Sequence, residues 1–497
     1  MGIVEREIQK AKKRIERAIR SREKVIVYGD YDADGVCATA IMWEALRAKG
    51  AEVMPLIPRR EEGYGLNKER VKELKKGGVK LIVTVDQGIV QNEAAREAKK
   101  RGVDLIVTDH HLPGKVRPEA VAIIHTTGLS GAGAAWFLAK NLGVKKDFLA
   151  LATIGTVTDL VPLLGANRSL VKFGLLELAK AKRPGLRALY RMAGLNKKEL
   201  STYEVSFLLG PRLNSSGRLA DPLDSLRLIC TRNQERADKL AESIEQSNRE
   251  RQELMMETTR HARELWFRTG GEESLIFVGD ESYHEGVIGL AAGKLSEEFG
   301  RPAVVLAKKD KFTKASARSI EGFNIVEAIR HCADIVGAHG GHPLAAGFTV
   351  ETAKIEILKT RLQNLAATQL PAEKLGRVLK VETFARFAQL NKSLWKEMQK
   401  LEPFGEGNRQ PVLATKDVEV VDKRLMGSEG QHAKLRLQEM SSGLVIEAVG
   451  FSLAGQLAEI KVGAKVDVAY NLMMNEWNGS KKLQLRIKDI KIKSENE

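Results

Sequence analysis

Short apolar runs alternate with helix-like segments between Lys24 and about Ile124. The apolar runs are VIVY, EVMPLI, LIVTV, DLIVT and AVAII, and helical patterns cover Val36 to Lys49 and Asn67 to Lys76. Strands that are buried on both faces read as continuous apolar runs, and helices between such strands imply right-handed crossovers in a parallel sheet. The pattern therefore predicts an α/β domain built on a parallel sheet.

A second alternation of this kind follows a long polar segment. Residues 130–222 read mostly as helices and loops, and the stretch from Asn233 to Trp266 favours helix and contains neither Gly nor Pro. As a single helix this stretch would span about 50 Å, so it is predicted to join two domains, with packing along one domain as the alternative. Beyond it, SLIFVGD, PAVVLA and KASARS are typical of strands, and helices are predicted from Gly286 to Glu298 and near Asn324 to Val336. The sequence thus indicates a second α/β domain.

The last part of the chain alternates apolar and polar positions, as β-strands with one solvated face do. A helical segment from about Glu351 to Gln369 precedes the runs DVEVVDKRLM, HAKLRLQEM, LVIEAVGFSL and KVDVAYNLMM. Short strands separated by Gly and Asn predict a small β-barrel such as an OB-fold, and other all-β modules fit the pattern equally. The predicted boundaries are 1–222 for the first α/β domain with its N-terminal helix, 223–268 for the connecting helix, 269–370 for the second α/β domain and 371–497 for the barrel.

Composition and charge indicate the class of binding partner and the cellular compartment of the protein. The formal net charge of +16 over 497 residues favours a polyanionic partner, because neutralising phosphates releases counterions. The first residues are charged and lack the apolar stretch of a signal peptide, and the sequence has no run near the ~18 apolar residues that cross a bilayer. We therefore expect a cytoplasmic protein without a membrane segment. The three cysteines are too few and too far apart for a disulfide framework or a thiolate zinc site.

Acidic residues and histidines follow three of the predicted strands directly. Asp30 comes just after VIVYG, Asp86 follows LIVTV, and Asp109, His110 and His111 follow LIVT. Ligands of open parallel sheets bind outside the carboxyl ends of the strands. These side chains are therefore expected to converge on one crevice.

The segment GDYDADG places three carboxylates, those of Asp30, Asp32 and Asp34, within five residues. Like charges at this density repel one another unless a cation lies among them. A helix N-cap would explain one Asp but not three, and an EF-hand loop would need Glu where Ile41 stands. Mixed carboxylate and imidazole ligands suit Mn²⁺, or Mg²⁺, better than a structural zinc ion. Two such ions sharing a bridging carboxylate would support phosphodiester hydrolysis.

The same residues lie in motifs of a known family. GDYDADG at 29–35, VDQG at 85–88, DHH at 109–111 and GTVTDLVPL at 155–163 resemble, in order and spacing, the four motifs of the DHH phosphoesterases. RREEGYGLN, GPRLNSSGRL, HEGVIGLAAGKL, KASARS and HGGHPLAAG resemble the RecJ exonucleases within that superfamily, so the likeness runs from about residue 24 to 490. The resemblance implies a DHH domain, a DHH-associated domain and a metal-dependent 5′→3′ exonuclease acting on single-stranded DNA in recombination and repair. Two alternatives are a nano-RNase or nucleotide phosphatase of the same superfamily, which are shorter enzymes, and a non-catalytic replication scaffold.

The resemblance also implies roles for individual residues. The implied metal ligands are Asp30, Asp32, Asp34, Asp86, His110 and Asp159. Asp86 would bridge two ions and, with His111 beside the scissile phosphate, carry the catalysis. Tyr28 stands where several family members have a ligating His, and Asp30 would take over that ligand position. The turn at Gly131 to Gly133 imitates a dinucleotide-binding loop, but Trp136 replaces its third glycine, so we interpret it as the start of a helix.

Phosphate-binding residues are predicted outside the acidic cluster. The resemblance assigns substrate binding to Arg60, Arg212, Arg218, Ser316, Arg318, Gly340, Gly341 and His342. Arg forks onto phosphate, and glycines let backbone N–H groups approach an oxyanion; surface ion pairs and a tight turn are the alternatives. In the terminal β region, His432, Lys434 and Arg436 alternate along one strand and share a face, which fits a nucleic-acid-binding groove or simply a solvated face. The expected partner is single-stranded DNA, with a single-strand binding protein or a helicase as protein partners of a monomer.

Overall fold

The computed structural model describes the chain except residues 1–2, 145–147, 196–198, 371–374, 377, 428–429, 431, 452, 454–456, 458–459, 478–479 and 494–497. Two compact units, residues 1–377 and residues 378–497, divide the chain. Within the described ranges, no helix combines the length and apolar character needed to cross a bilayer.

The first unit begins with a five-stranded sheet in which all strands are parallel. The strands are β1 Lys24–Tyr28, β2 Glu52–Leu56, β3 Val79–Val85, β4 Asp104–Asp109 and β5 Ala122–His125, in the order β2-β1-β3-β4-β5. The inner strands β1, β3 and β4 are almost wholly buried, as their continuous apolar runs predict. The predicted parallel α/β domain is confirmed.

Helices cover both faces of this sheet and extend beyond it. They are α1 Glu5–Arg20, α2 Ala33–Ala48, α3 Lys68–Lys76, α4 Asn92–Lys100, α5 Gly131–Asn141, α6 Leu149–Thr158, α7 Gly165–Ala179, α8 Pro184–Met192, α9 Thr202–Glu204, α10 Gly210–Leu219, α11 Pro222–Cys230 and α12 Gln234–Arg268. A π-helical segment, Val205–Leu209, connects α9 to α10. Helix α1 protects the edge strand β5, because Glu7 accepts a hydrogen bond from the backbone N–H of Ile123 at 3.0 Å.

Helix α12 is the predicted connecting helix and contributes to two hydrophobic cores. It has 35 residues, and the side chain of Asn233 caps its first turn by accepting a hydrogen bond from the N–H of Arg236. Ala241 and Ile244 in its first half pack into the core over the first sheet, whereas Ala262 and Trp266 near its end pack beside the second sheet. The helix therefore fixes the two α/β domains against one another within the first unit.

The second sheet is mixed rather than parallel. Its elements are β6 Ile276–Asp280, α13 Ile288–Phe299, β7 Ala303–Ala307, β8 Phe312–Arg318, α14 Ile325–Arg330, β9 Val336–His342, β10 Ala345–Glu351 and α15 Ile355–Gln369. The strand order is β6-β7-β8-β10-β9, and within it β6 and β7 pair in parallel while β7–β8, β8–β10 and β9–β10 are antiparallel. The helix predicted from Asn324 to Val336 is wrong in its second half. It ends at Arg330, Asp334 pairs with Arg361 of α15, and Val336 begins β9.

The second unit is a closed barrel with a short N-terminal strand and helix. Its elements are β11 Thr383–Phe384, α16 Lys392–Gln399, β12 Leu413–Met426, β13 His432–Glu439, β14 Val445–Gly450, β15 Lys465–Trp477 and β16 Ser480–Ile492. Pairing of β12 with both β13 and β15 closes the five longer strands, β12 to β16, into a ring. The predicted OB-like barrel is confirmed.

Candidate metal centre

The carboxyl ends of β1, β3 and β4 bring the predicted ligands together at one edge of the first sheet. Three overlapping groups have ligand atoms within 4.8 Å of one another: Asp30, Asp32 and Asp86; Asp34, His110 and Asp159; and Asp86, His110 and His111. Asp159, the most distant in sequence, reaches the cluster from the C-terminal end of α6. All seven predicted metal and catalytic residues therefore lie in one place, and we call them the metal centre.

Buried polar atoms in the metal centre have no hydrogen-bond partner. These atoms are Oδ1 of Asp30, Oδ1 of Asp86 and Nε2 of His110. Nε2 of His110 lies 3.0 Å from Oδ1 of Asp86 and 3.5 Å from Oδ2 of Asp159. Buried polar groups without partners are costly, and divalent cations held in the two groups that share Asp86 would satisfy them. The residues present thus fit a metal site.

Burial controls the protonation of these groups. Burial, reinforced by the charge of Asp32, raises the pKa of Asp30 to about 8 and that of Asp34 to about 7. Burial and neighbouring carboxylates raise the pKa of Asp159 to about 9. Burial also lowers the pKa of His110 to about 3, so its imidazole is neutral, as a metal ligand must be. A cation would restore the charge of the carboxylates, because an opposite charge favours the ionised form.

The start of α5 holds Asp34 in position. Its carboxylate accepts hydrogen bonds from the backbone N–H groups of Gly131 at 2.6 Å and Ala132 at 2.9 Å. A Cβ on Gly131 would lie 2.3 Å from Oδ1 of Asp86, and one on Gly155 would lie 2.1 Å from Oδ1 of Asp34. The interpretation of Gly131 to Gly133 as a helix start is confirmed, and Ser130 is the N-cap. The sequence did not indicate that this helix start also positions a ligand.

The backbone around the first two motifs is arranged for the same purpose. Asp32 caps α2 by accepting a hydrogen bond from the N–H of Gly35 at 2.9 Å. One of the three Asp residues is therefore a helix N-cap, as expected, and the same residue also belongs to the metal centre. Asp86 has φ +60, a left-handed conformation that is rare for residues other than Gly. Gln87 anchors this turn by donating a hydrogen bond to the carbonyl of Tyr28. Tyr28 itself is fully buried in an apolar cluster, and Asp30 supplies the carboxylate next to it.

Two further residues position His111: Asp109, which was expected at the crevice but without this role, and Tyr64, which was not predicted. Oδ1 of Asp109 accepts a hydrogen bond from Nδ1 of His111 at 2.8 Å, and its Oδ2 accepts one from the N–H of Ile89. Burial opposes the charged form of His111, but the hydrogen bond and charge of Asp109 raise the pKa of His111 above its usual value. The Tyr64 hydroxyl lies 3.2 Å from Nδ1 and 3.3 Å from Nε2 of the same ring. Asp109 is the first residue of the DHH motif and Tyr64 lies in RREEGYGLN, so both lie within motifs that are recognisable in the sequence.

A cluster of arginines lies beside the metal centre. Arg60 donates a hydrogen bond to the carbonyl of Gly217 at 3.1 Å, and Arg218 donates one to the carbonyl of Gly286 at 3.0 Å. Burial, followed by the charges of Arg60, Arg251 and Arg318, lowers the pKa of Arg218 to about 10. The positive side chains from both α/β domains are therefore close enough to repel one another.

Ser316 and Arg318 complete this cluster from strand β8. Nη1 of Arg318 lies 3.4 Å from Oγ of Ser316, and both side chains lie against Gly289 in the first turn of α13. Four predicted phosphate-binding residues, Arg60, Arg218, Ser316 and Arg318, are therefore neighbours, and we call them the arginine pocket. An anion between the guanidinium groups would offset their repulsion.

The other predicted substrate residues have different surroundings. Arg212 forms a two-pronged ion pair with Glu245 of α12, with N–O distances of 2.6 and 3.3 Å, and so joins α10 to α12. Gly340 and Gly341 are neither an open phosphate loop nor a tight turn, because they belong to β9 and pair with Gly347 and Ala346 of β10. Their role in binding substrate stays a prediction.

His342, at the end of β9, is close to the metal centre. Its ring stacks on that of His111, with the ring centroids 6.0 Å apart and an interplanar angle of 18°. The second α/β domain therefore contributes a side chain beside the DHH motif.

In the second unit, the predicted binding face points away from the barrel core. His432, Lys434 and Arg436 alternate with the buried residues Ala433 and Leu435 along β13. Lys434 pairs with Glu447 at 2.8 Å, His432 packs edge-on against Phe451 at 5.4 Å, and the guanidinium of Arg486 lies over the Phe451 ring at the same distance. The common face is confirmed, and its binding of nucleic acid stays a prediction.

Comparisons with known proteins agree with this arrangement. Residues 24–156 match the N-terminal domain of the DHH family, residues 272–368 the DHHA1 domain and residues 381–489 the RecJ OB domain. The chain is 37% identical over 500 residues to the single-stranded-DNA-specific exonuclease RecJ of Bacillus subtilis, with 98% of this chain and 63% of that protein covered. It is 31% identical over 512 residues to the protein of the same name from Salmonella typhimurium, with 95% and 88% covered.

A solved structure gives the same picture. The crystal structure of RecJ in complex with Mn²⁺ from Thermus thermophilus matches with a TM-score of 0.86 at 30% identity, covering 99% of this chain and 72% of that one. The chain spans less than two thirds of the Bacillus relative and most of the Salmonella relative.

Proposed function

Because this chain belongs to the RecJ family, we propose that it is a metal-dependent exonuclease that hydrolyses single-stranded DNA from its 5′ end in recombination and repair. The observation that carries the proposal is the set of buried, unpartnered ligand atoms on Asp30, Asp86 and His110, which belong to two ligand groups that share Asp86. The relatives are named single-stranded-DNA-specific exonucleases, which supports the substrate class.

Two Mn²⁺ ions, or Mg²⁺ in their place, are the proposed cofactors. Asp30, Asp32, Asp34, Asp86, His110 and Asp159 would hold them, with Asp86 as the shared carboxylate. Such ions, when bound, activate a water molecule and offset the charge that develops on the phosphate. Within the chain, Asp109 orients His111 through Nδ1 and favours its protonated form, in which Nε2 would donate a hydrogen bond to an oxygen of the scissile phosphate.

The arginine pocket would determine that digestion starts at the 5′ end of the strand. A terminal 5′ phosphate carries more negative charge than an internal diester, and Arg60, Arg218 and Arg318 offer charge-assisted donors for it. Because the pocket lies beside the metal centre, holding the 5′ end there would present the first phosphodiester bonds to the metal centre.

One assay tests the proposed function. End-labelled single-stranded DNA, the matching duplex and dinucleotides are digested with Mn²⁺. We expect the single strand to be shortened from its 5′ end, with the duplex and the dinucleotides cleaved much more slowly. Preferred hydrolysis of dinucleotides would instead support a nano-RNase or nucleotide phosphatase, and no hydrolysis of any substrate would support a non-catalytic scaffold.

The biological setting stays a prediction. We expect a monomer in the cytoplasm that works with a single-strand binding protein or a helicase. The barrel face with His432, Lys434 and Arg436 is proposed to follow the backbone of the bound strand.

A further inference from the structure

Two aromatic side chains are exposed on one helical face of the first unit. Tyr203 and Phe207 are 52% and 63% exposed, and their ring centroids lie 4.9 Å apart at an interplanar angle of 36°. Only 5% of the residues in the chain are aromatic, so a paired, solvent-facing arrangement is unusual here. Exposed aromatic area is unfavourable in water, which makes a surface of this kind a candidate for binding.

The backbone beneath these rings is irregular. Phe207 lies in the π-helical segment Val205–Leu209, between α9 and α10. Such segments are rare and often occur at functional sites. Phe207 is thus carried by a local departure from the regular helix, and Tyr203 by the short helix α9 just before it.

This segment packs against α6, the helix whose C-terminal end supplies Asp159 to the metal centre. Gly210, directly after the π-helical segment, approaches Thr158 so closely that a Cβ would lie 2.5 Å from its Cγ2. Thr158 is the last residue of α6, and Asp159 follows it. Leu160, the next residue, is 64% exposed with φ +57. The segment that carries Phe207 is therefore followed directly by a residue in contact with the end of α6 that supplies Asp159.

We propose that Tyr203 and Phe207 form a stacking platform for a nucleobase of the single-stranded DNA that is bound at the metal centre. This inference rests on the proposed function, since it places the scissile strand beside Asp159. Two flat rings suit a flat base, and base stacking on aromatics does not depend on sequence because every base has a π-face. An apolar segment of a protein partner is the competing occupant. The base is favoured because the helical segment beneath the rings packs against α6, and the end of α6 supplies Asp159 to the metal centre.

The platform is tested with 5′-phosphorylated strands that carry one abasic residue at successive positions from the 5′ end. Binding is followed without turnover in Ca²⁺, and 2-aminopurine at the same positions reports stacking through its fluorescence. For the wild type we expect one position at which loss of the base weakens binding by about 5- to 10-fold and at which 2-aminopurine is quenched. Phe207→Leu and Tyr203→Leu should remove both effects, whereas Tyr203→Phe, which keeps the ring, should retain them.

Phe173→Leu is the matched control, because Phe173 is 59% exposed on α7 and its substitution should leave the positional effect intact. The proposal is overturned if no position distinguishes the abasic strand, or if the two leucine variants behave like the wild type. It is also overturned if these variants weaken normal and abasic strands equally. A wild type that quenches 2-aminopurine at one position but hydrolyses no DNA would retain the platform and refute the proposed exonuclease activity.

Discussion

At the level of single residues, the metal centre consists of groups whose burial is unfavourable without a cation. Asp86 has three unfavourable features: a buried carboxylate, an oxygen without a hydrogen-bond partner and a left-handed backbone conformation. Burial and the surrounding carboxylates raise the pKa of Asp86 well above its usual value. Strain of this kind persists where the surrounding structure enforces it, as at a binding site.

We predict that Asp86→Asn abolishes hydrolysis. Asn tolerates the left-handed conformation and keeps the shape of the side chain, so the substitution removes mainly the charge that two ions would share. Turnover should fall by about 10³-fold or more, measured on labelled single-stranded DNA in Mn²⁺. Asp417→Asn is the matched control, because Asp417 also has a positive φ, of +55, but is exposed in the second unit. Near-normal turnover of the Asp86 variant would contradict the prediction.

Arg318 is predicted to recognise the terminal 5′ phosphate of the strand. If its guanidinium binds the terminal phosphate, Arg318→Ala should lower the affinity for 5′-phosphorylated strands by about 1.5–3 kcal/mol and hardly affect strands with a 5′-hydroxyl. Binding of both strands is compared in Ca²⁺. Arg330→Ala is the control, since Arg330 is exposed in the same domain and pairs with Glu327. An equal reduction for both ends would make Arg318 a general backbone contact and exclude it as the origin of polarity.

At the level of elements, the ends of helices and strands determine what the site can bind. The strand ends were predictable, because apolar runs followed by acidic residues identify the carboxyl edge of a parallel sheet. Asp159 at the end of α6 was also predicted, but the roles of Gly131 in α5 and Gly155 in α6 were not, because their approach to two carboxylates depends on how the helices pack. Arg212 illustrates the same limit, since its motif resembles a substrate-binding one but its guanidinium faces Glu245 of α12.

We predict that Gly155→Ala weakens metal binding while the helix remains intact. The new Cβ would overlap Oδ1 of Asp34 and the Cβ of Ala132, so the carboxylate must move away from its N–H donors on α5. Misplacing one ligand should reduce the affinity for Mn²⁺ by about 10-fold or more, measured by titration calorimetry, with helix content checked by circular dichroism. Gly77→Ala at the end of α3, where the nearest atom is 3.4 Å away, serves as the control. Unchanged Mn²⁺ affinity in a folded Gly155 variant would show that Asp34 is not a ligand.

At the level of the whole molecule, the first unit joins two domains whose residues form neighbouring sites. Helix α12 packs into both cores, and this packing brings Ser316 and Arg318 beside Arg60 and Arg218, and His342 beside His111. The alternation of strands and helices predicted the two α/β domains, and the alternation of apolar and polar positions predicted the barrel. The meeting of residues about 100 to 260 positions apart could not be predicted from these patterns, because it depends on side-chain packing along a 35-residue helix.

The two units are predicted to have separable functions, cleavage in the first and binding of long strands in the second. Residues 1–377 contain the metal centre, the arginine pocket and their own hydrophobic cores, whereas the barrel has a separate core. Removing Val378–Glu497 should therefore spare cleavage of very short oligonucleotides and weaken binding of long single strands. The salt dependence of that binding should also fall: the slope of log affinity against log salt should change by about 0.7 for each phosphate that the barrel no longer neutralises.

A full-length Lys434→Ala, Arg436→Ala double variant should reproduce part of this effect if the outer face of β13 follows the DNA backbone. Lys400→Ala, which breaks a surface pair with Glu397, is the control and should leave binding of long strands unchanged. An equal decline on short and long substrates after truncation would mean that the barrel supports the fold of the first unit rather than binding DNA.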